Sequence, residues 1–500
     1  LIEGQINLLL GRVVEIHLPD ADRRLIDTSH GRVPDLDGIG TIQLLGSIAM
    51  DSLRISAGVD SYPRLGDRVY AAPHSFIANL PKFMEAAEAE ASHVLLKLGS
   101  IDVAPESYVS VKPEKLFGRH CAILGATGGG KSWTTARIIE ECLRYKTKII
   151  LLDATGEYRG FDGEHVANFH LGAPVNTAKS SATCTLPQTS FIESDFIALF
   201  EPAGKVQGPK LRAAIRSLRL AALAPHVATG GIIKKIDQSK VPIMTEEAKA
   251  GIAEKLDDPQ QAFDVWKLVS QIEQECVYPD GFGSARGQKD FTKWGGDSGE
   301  VSFCLSLMSR INGILSSSSF ECVFKSKAPA LTEKISSFVS NEDRLLRICL
   351  SGVAFEFKAR EIVANVIGRH LLNMARNGAF KSRPVVVIVD EAHNFLGRQI
   401  GADDAVARLD AFELIAKEGR KYGLNICLST QRPRDITEGV LSQMGTLVVH
   451  RLTNDRDREV VERACGEIDR SASSFLPNLK PGEAAIIGAD FPIPLTIQVF

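Results

Sequence analysis

The sequence predicts an α/β fold: a parallel-sheet core, preceded by a small β-barrel and interrupted by a run of helices. Three observations carry this. Short apolar segments such as Ile149–Asp153 and Val385–Val389 alternate with stretches of helical periodicity, the mark of a parallel sheet. A glycine-rich turn, Gly125-Ala126-Thr127-Gly128-Gly129-Gly130-Lys131-Ser132, joins one such segment to a helix. The first hundred or so residues instead hold short alternating or β-branched segments punctuated by Gly, Pro and Asp.

Taken in order, residues 1–104 form the barrel region. Strands are expected at 13–18, 41–45, 51–55 and 68–70, with a further one at 93–98. Residues 105–204 begin the α/β core. Cys121–Leu124 reads as a buried strand, residues 133–145 as a helix and Ile149–Asp153 as a second buried strand. From 205 to 330 the strand signal fades. Residues 210–223, 245–256 and 259–272 read as amphipathic helices, and 281–299 as a polar, glycine-rich loop, together a helical insertion. Residues 331–500 complete the core, with strands at 346–350, 385–389, 426–429 and 446–449, and a C-terminal segment.

Composition narrows the class. The chain has 500 residues, 44% hydrophobic and 24% charged, ordinary for globular domains. A net charge of −3 gives no global basic excess, so a DNA partner requires positive charge concentrated in a groove or pore. Nine cysteines occur without C-x-x-C pairing, which argues against a zinc site or a disulfide framework and for a reducing cytoplasm. No apolar stretch approaches bilayer length, and Glu3 precedes the first apolar run without a basic leader, unlike a signal peptide.

The turn at 125–132 matches G-x-x-x-x-G-K-[ST] in the strand–loop–helix setting that gives the pattern its meaning. Glycines let main-chain N–H groups turn onto a triphosphate, and the following helix adds a favourable partial charge. Lys131 is expected on the β- and γ-phosphates of ATP and Ser132 on Mg2+; Trp133, next in the chain, completes the nucleotide-binding set. The bland alternative, a glycine turn before a helix, needs Gly, Lys and Ser to fall at these spacings by accident.

A second strand, Val385–Val389, ends in Asp390-Glu391. Strand C-termini of a parallel sheet face the ligand, so Asp390 is expected to hold Mg2+ and Glu391 to activate the attacking water. Residues 426–429 lead to Gln431, a candidate to bond the attacking water or the γ-phosphate. Asp153 and Glu157 follow another strand; they could orient water or a neighbour's basic residue, or cap a turn. Lys417 and Arg420 lie at a helix end, where a basic C-terminus satisfying the helix dipole is the plainer reading and a cation for phosphoryl transfer the sharper one. Arg212, Arg216 and Arg219 fall on one helical face; a solvated face is the plainer reading, contact with a phosphate backbone the sharper. Arg398, in a loop rich in Gly and charge, is a further candidate for DNA.

The phosphate loop, Asp153-x-x-Gly156-Glu157-Tyr158, Val389-Asp390-Glu391-Ala392-His393-Asn394-Phe395, residues 418–424 and Ser429-Thr430-Gln431-Arg432-Pro433 together resemble the HerA family, the hexameric DNA-translocase branch of the FtsK–HerA ATPases. The resemblance spans nearly the whole chain, ending with Leu476-Pro477-Asn478-Leu479-Lys480-Pro481-Gly482-Glu483. It implies a RecA-like ATPase assembled as a homo-hexameric ring, with ATP between subunits and duplex DNA in the pore. It makes Arg420 the favoured finger reaching into the next subunit and Lys417 a second cation. It implies a partner, either a NurA-like nuclease in DNA end processing or a sirtuin-like or other effector in antiphage defence. Ala154-Thr155 departs from the family, where many members carry Pro-His, and this bears on Glu157. Two rival functions are an ATP-gated ring scaffold for a partner effector and, more distantly, a protein-remodelling ATPase.

Overall fold

The computed structural model describes every residue except 5, 18–37, 53, 84–93, 102–103, 282–288, 397, 401–406, 466–474 and 490. The chain divides into two compact units, residues 1–146 with 427–500, and residues 147–426.

The first unit opens with a three-stranded antiparallel sheet. Asn7–His17 pairs with Ile39–Ala49, which pairs with Ile55–Ala57. Leu9, Leu10, Ile48 and Ile55 bury their side chains. The expected strands at 51–55 and 68–70 shrink: Asp51 and Ser52 form a turn, and Val69 makes only an isolated bridge to Ile2. Asp and Ser bond the backbone locally and so compete with a ladder. Residues 18 and 53 of these expected strands, and His93 of the next, lie outside the described residues.

The unit's main sheet runs in the order Ala104–Val111, Leu96–Ile101, Phe491–Val499, Glu483–Gly488, Thr446–Val449, Cys121–Leu124 and residues 427–430 of the strand Leu424–Thr430. The last three are parallel neighbours and the others antiparallel. All four residues of Cys121–Leu124 are fully buried, as expected for a strand covered on both faces. The helix Lys131–Leu143 follows it, burying Ile138, Ile139 and Cys142.

In the second unit Val385–Val389, Ile149–Asp153, Leu345–Cys349, Val166–Leu171 and Ala182–Cys184 pair in parallel in that order. Arg347 is anomalous: it stands mid-strand with no exposure, held by Asp153 at 2.7 Å. A buried charge persists only with such a partner.

Helices dominate residues 204–316, with corrected boundaries. The stretch 245–256 is two helices, Val241–Glu247 with Pro242 in its first turn and Ala250–Leu256, parted by extended backbone at Lys249. The helical stretch expected over 259–272 starts later. The Asp264 side chain accepts from the Trp266 N–H and sets the start, so a 3-10 turn at Val265–Lys267 leads into Leu268–Glu275. The described part of the expected 281–299 loop ends earlier too. Asp297 caps Ser298–Ser316 by accepting from the N–H groups of Gly299 and Glu300. Inside this region Leu220, Ile233 and Leu256 form a small core.

The eight described cysteines are free and buried. Among the described residues no helix is long and apolar enough to cross a membrane.

Candidate functional site

In the first unit, three parallel strands run in matched register: Val449 lies opposite Leu124, and Leu124 opposite Thr430. The residues that follow them, His450, Gly125 and Gln431, therefore emerge side by side at one sheet edge, where parallel sheets bind ligands. The loop from Gly125 to Ser132 is pinned from both sides. The Ala126 N–H donates to the Arg451 carbonyl at 3.0 Å, and the Gly482 N–H donates to the Gly129 carbonyl at 3.2 Å. Gly130, at φ 112°, takes the left-handed turn that starts the helix at Lys131. A Cβ on Gly125 would stand 2.5 Å from the His450 Cβ, so no larger residue fits there. Lys131 folds its amine back over the loop, 3.3 Å from the Ala126 carbonyl, and is 8% exposed. The Thr127 hydroxyl donates to Gln431 Oε1 at 2.5 Å. The sequence-selected loop and Gln431 thus meet. The helix N-terminus that starts at Lys131 and the Lys131 amine supply positive charge at the loop, which suits a polyphosphate.

His450 is a residue the sequence reasoning missed. It occupies a strand-end position like those of Gln431 and Asp390, which was the available signal. Its imidazole is fully buried. Nδ1 lies 2.8 Å from the Glu483 carbonyl and Nε2 2.8 Å from the Thr134 hydroxyl. A carbonyl only accepts, so Nδ1 carries the proton and Nε2 accepts from Thr134. Burial pushes its pKa down to about 4, a shift opposed by the bond to Glu483 and reinforced by Lys131. The unfolded chain takes up a proton near pH 6.5 that the folded protein refuses until about pH 4, so the imidazole's contribution to stability is present above 6.5 and lost on acidification through that window. Relative to His450→Gln, the wild type is expected to lose about 2 kcal/mol between pH 7 and pH 5. Chemical unfolding at the two pH values measures this; parallel pH dependence in the two proteins would contradict it.

In the second unit Val389 lies opposite Leu152 and Cys349 opposite Asp153, so Asp390 and Asp153 end neighbouring strands. Asp390 is 3% exposed, and its Oδ1 accepts from the Tyr158 hydroxyl at 3.4 Å. Its Oδ2 is buried with no partner among the described residues. Burial first, then the charges of Glu391, Asp153 and Glu157, raise its pKa to about 8. An under-compensated carboxylate of this kind fits a hard cation. Among the described residues no cluster of three or more His, Cys, Asp or Glu forms a metal cage. Mg2+ characteristically takes one or two protein oxygens and fills its shell with water and phosphate. Glu391 adopts a left-handed backbone, φ 48°, which is uncommon without glycine. Its carboxylate lies 3.2 Å from His393 Nδ1.

Other candidates are placed differently. Asp153 is fully buried and spent on structure: it accepts from the N–H groups of Gly156 at 2.7 Å and Tyr158 at 3.2 Å, and from Arg347. These bonds hold the turn that follows the strand. Glu157, in the same turn, is exposed. Lys417 pairs with Glu413 at 2.8 Å. Arg420 stands exposed on the turn Gly419–Tyr422, with no side-chain partner among the described residues. Arg212 and Arg216 pair with Glu193 and Asp257, and buried Arg219 donates to the Leu256 carbonyl at 3.0 Å. In this structure the stripe is an ion-paired helix face. Arg398 begins the strand Arg398–Ile400, paired with Ala407–Leu409; its side chain lies outside the described residues, as does part of the loop around it.

A family model described as the central domain of helicase HerA matches residues 96–267. A probable helicase of Methanocaldococcus jannaschii is 21% identical over 466 residues, covering 92% of this chain and 79% of the relative. The DNA double-strand break repair helicase HerA of Saccharolobus solfataricus is 23% identical over 385 residues, covering 77% of this chain and 64% of its own length. Among solved structures, the bacterial conjugative coupling protein TrwB aligns over 85% of this chain and 92% of its own, at 15% identity and a TM-score of 0.47. The phosphate loop at 125–132 thus lies within the stretch, residues 96–267, that is similar to the central domain of helicase HerA.

Proposed function

We propose that this protein is an ATP-driven DNA translocase. The observation that carries the reading is the pinned loop Gly125–Ser132, with Lys131 folded over it and Gln431 bonded to Thr127, in a chain with a HerA central domain. Main-chain N–H groups of the loop after Ala126, whose own N–H is taken by the Arg451 carbonyl, and the Lys131 amine hold the β- and γ-phosphates. Ser132, at the phosphate loop, would offer a hard oxygen to Mg2+, which would neutralise charge on the phosphate oxygens; Asp390, at its own strand end in the second unit, is a hard-oxygen donor of the same kind. Glu391 polarises the attacking water. Gln431, reached by Thr127, reports whether the γ-phosphate is present. Arg420 is exposed and unpaired among the described residues, as a guanidinium donated to a neighbouring subunit must be. This favours an assembly whose nucleotide sites are completed by the next protomer, for which the family resemblance implies a homo-hexameric ring. The relatives named for DNA double-strand break repair favour duplex DNA as the track; a nuclease or defence effector is the partner that the family resemblance implies.

The test is displacement of a protein roadblock from linear duplex DNA. ATP-dependent displacement is expected. Turnover of ATP without displacement would replace translocation by the gated-scaffold reading.

A further inference from the structure

Beside the phosphate loop lies a group of exposed aromatic rings that phosphate binding does not use. Trp133, the residue after Ser132, is 63% exposed in the first turn of its helix. Its indole N–H donates to the Phe500 carbonyl. The Phe500 ring packs edge-on against Tyr108, centroids 5.6 Å apart, and the Arg137 guanidinium lies 5.4 Å from its centre. Tyr108 is 55% exposed. Arg137 is itself fixed, donating to the Lys97 carbonyl at 3.1 Å and pairing with buried Glu141 at 2.6 Å. The shelf is therefore held in place from below, with ring surface left in water.

Resting on the ATPase reading above, we propose that this shelf is the base subsite of the nucleotide, and that it stacks a purine without reading its edge. Phosphates held by residues 126–132 leave the nucleoside to emerge at the helix start, where Trp133 stands. The indole N–H, its one polar group, is already used by Phe500 and cannot report which base is bound. Every purine has a π face, so stacking tolerates adenine and guanine alike. The occupant is a purine nucleoside triphosphate, ATP or GTP.

Equilibrium binding to the full chain tests this with three probes: ATP, GTP and inorganic tripolyphosphate. Trp133→Ala is expected to raise the Kd of ATP and GTP together about tenfold and to leave tripolyphosphate binding unmoved. Trp133→Phe is expected to restore most of the loss. Equal weakening of tripolyphosphate would show that Trp133 only supports the loop, and unchanged ATP binding would remove the subsite; either overturns the proposal, as would a wild type that takes only one of the two purines. A wild type that binds tripolyphosphate but not ATP also overturns the shelf, whereas one that binds neither overturns the ATPase reading beneath it.

Discussion

Lys131→Ala is expected to cut ATP hydrolysis by about 10²- to 10³-fold in kcat/KM. The amine already lies over the loop, 3.3 Å from the Ala126 carbonyl, in a position 8% exposed. A preplaced cation needs no reorganisation when charge develops on the γ-phosphate, which is why such groups carry large shares of catalysis. Its own contribution to folding is small by comparison: the loop is held by main-chain bonds from Arg451 and Gly482 and by the His450 ring, none of which the substitution touches. The variant is therefore expected to unfold near the wild-type midpoint while losing ATP affinity. Steady-state hydrolysis with equilibrium ATP binding measures both. Wild-type turnover in Lys131→Ala would remove the loop from the mechanism.

Glu391→Gln separates binding from chemistry. The amide keeps the size and shape of the side chain but is a poor base, so turnover is expected to fall by about 10²- to 10⁴-fold. ATP binding is expected to persist, because the substitution leaves the phosphate loop and Asp390 in place. It also removes one of the charges that raise the pKa of Asp390. The Asp390 carboxylate, proposed to hold Mg2+, should then ionise more readily, so affinity for Mg·ATP is not expected to weaken. Single-turnover measurements distinguish slow hydrolysis from slow product release. A variant that neither binds nor hydrolyses ATP would assign Glu391 to structure instead.

What the sequence made legible was the part of the site that obeys strand-end logic. An apolar strand followed by glycines, by Asp390-Glu391 or by Gln431 is a local pattern, and parallel pairing carries Gly125 and Gln431 to one edge without further information. His450 obeys the same logic, but a histidine after a strand has many uses, and only its two 2.8 Å bonds disclose this one. Asp153 was ambiguous for the opposite reason. Its commitment depends on Arg347, a residue 194 positions away, buried in a strand where periodicity predicts only apolar side chains. The helical boundaries failed where caps were not weighed: Asp264 and Asp297 each set a start that apolar spacing alone misplaces. The arginine stripe could not be judged from its own helix, because Glu193 and Asp257 lie on other segments.

The most direct test is the rate of ATP hydrolysis by the purified protein as duplex DNA is titrated, with Glu391→Gln measured beside it. Turnover that rises with DNA in the wild type and collapses in the variant is the predicted result. Hydrolysis indifferent to DNA would contradict the translocase reading, and hydrolysis undiminished in Glu391→Gln would contradict the mechanism.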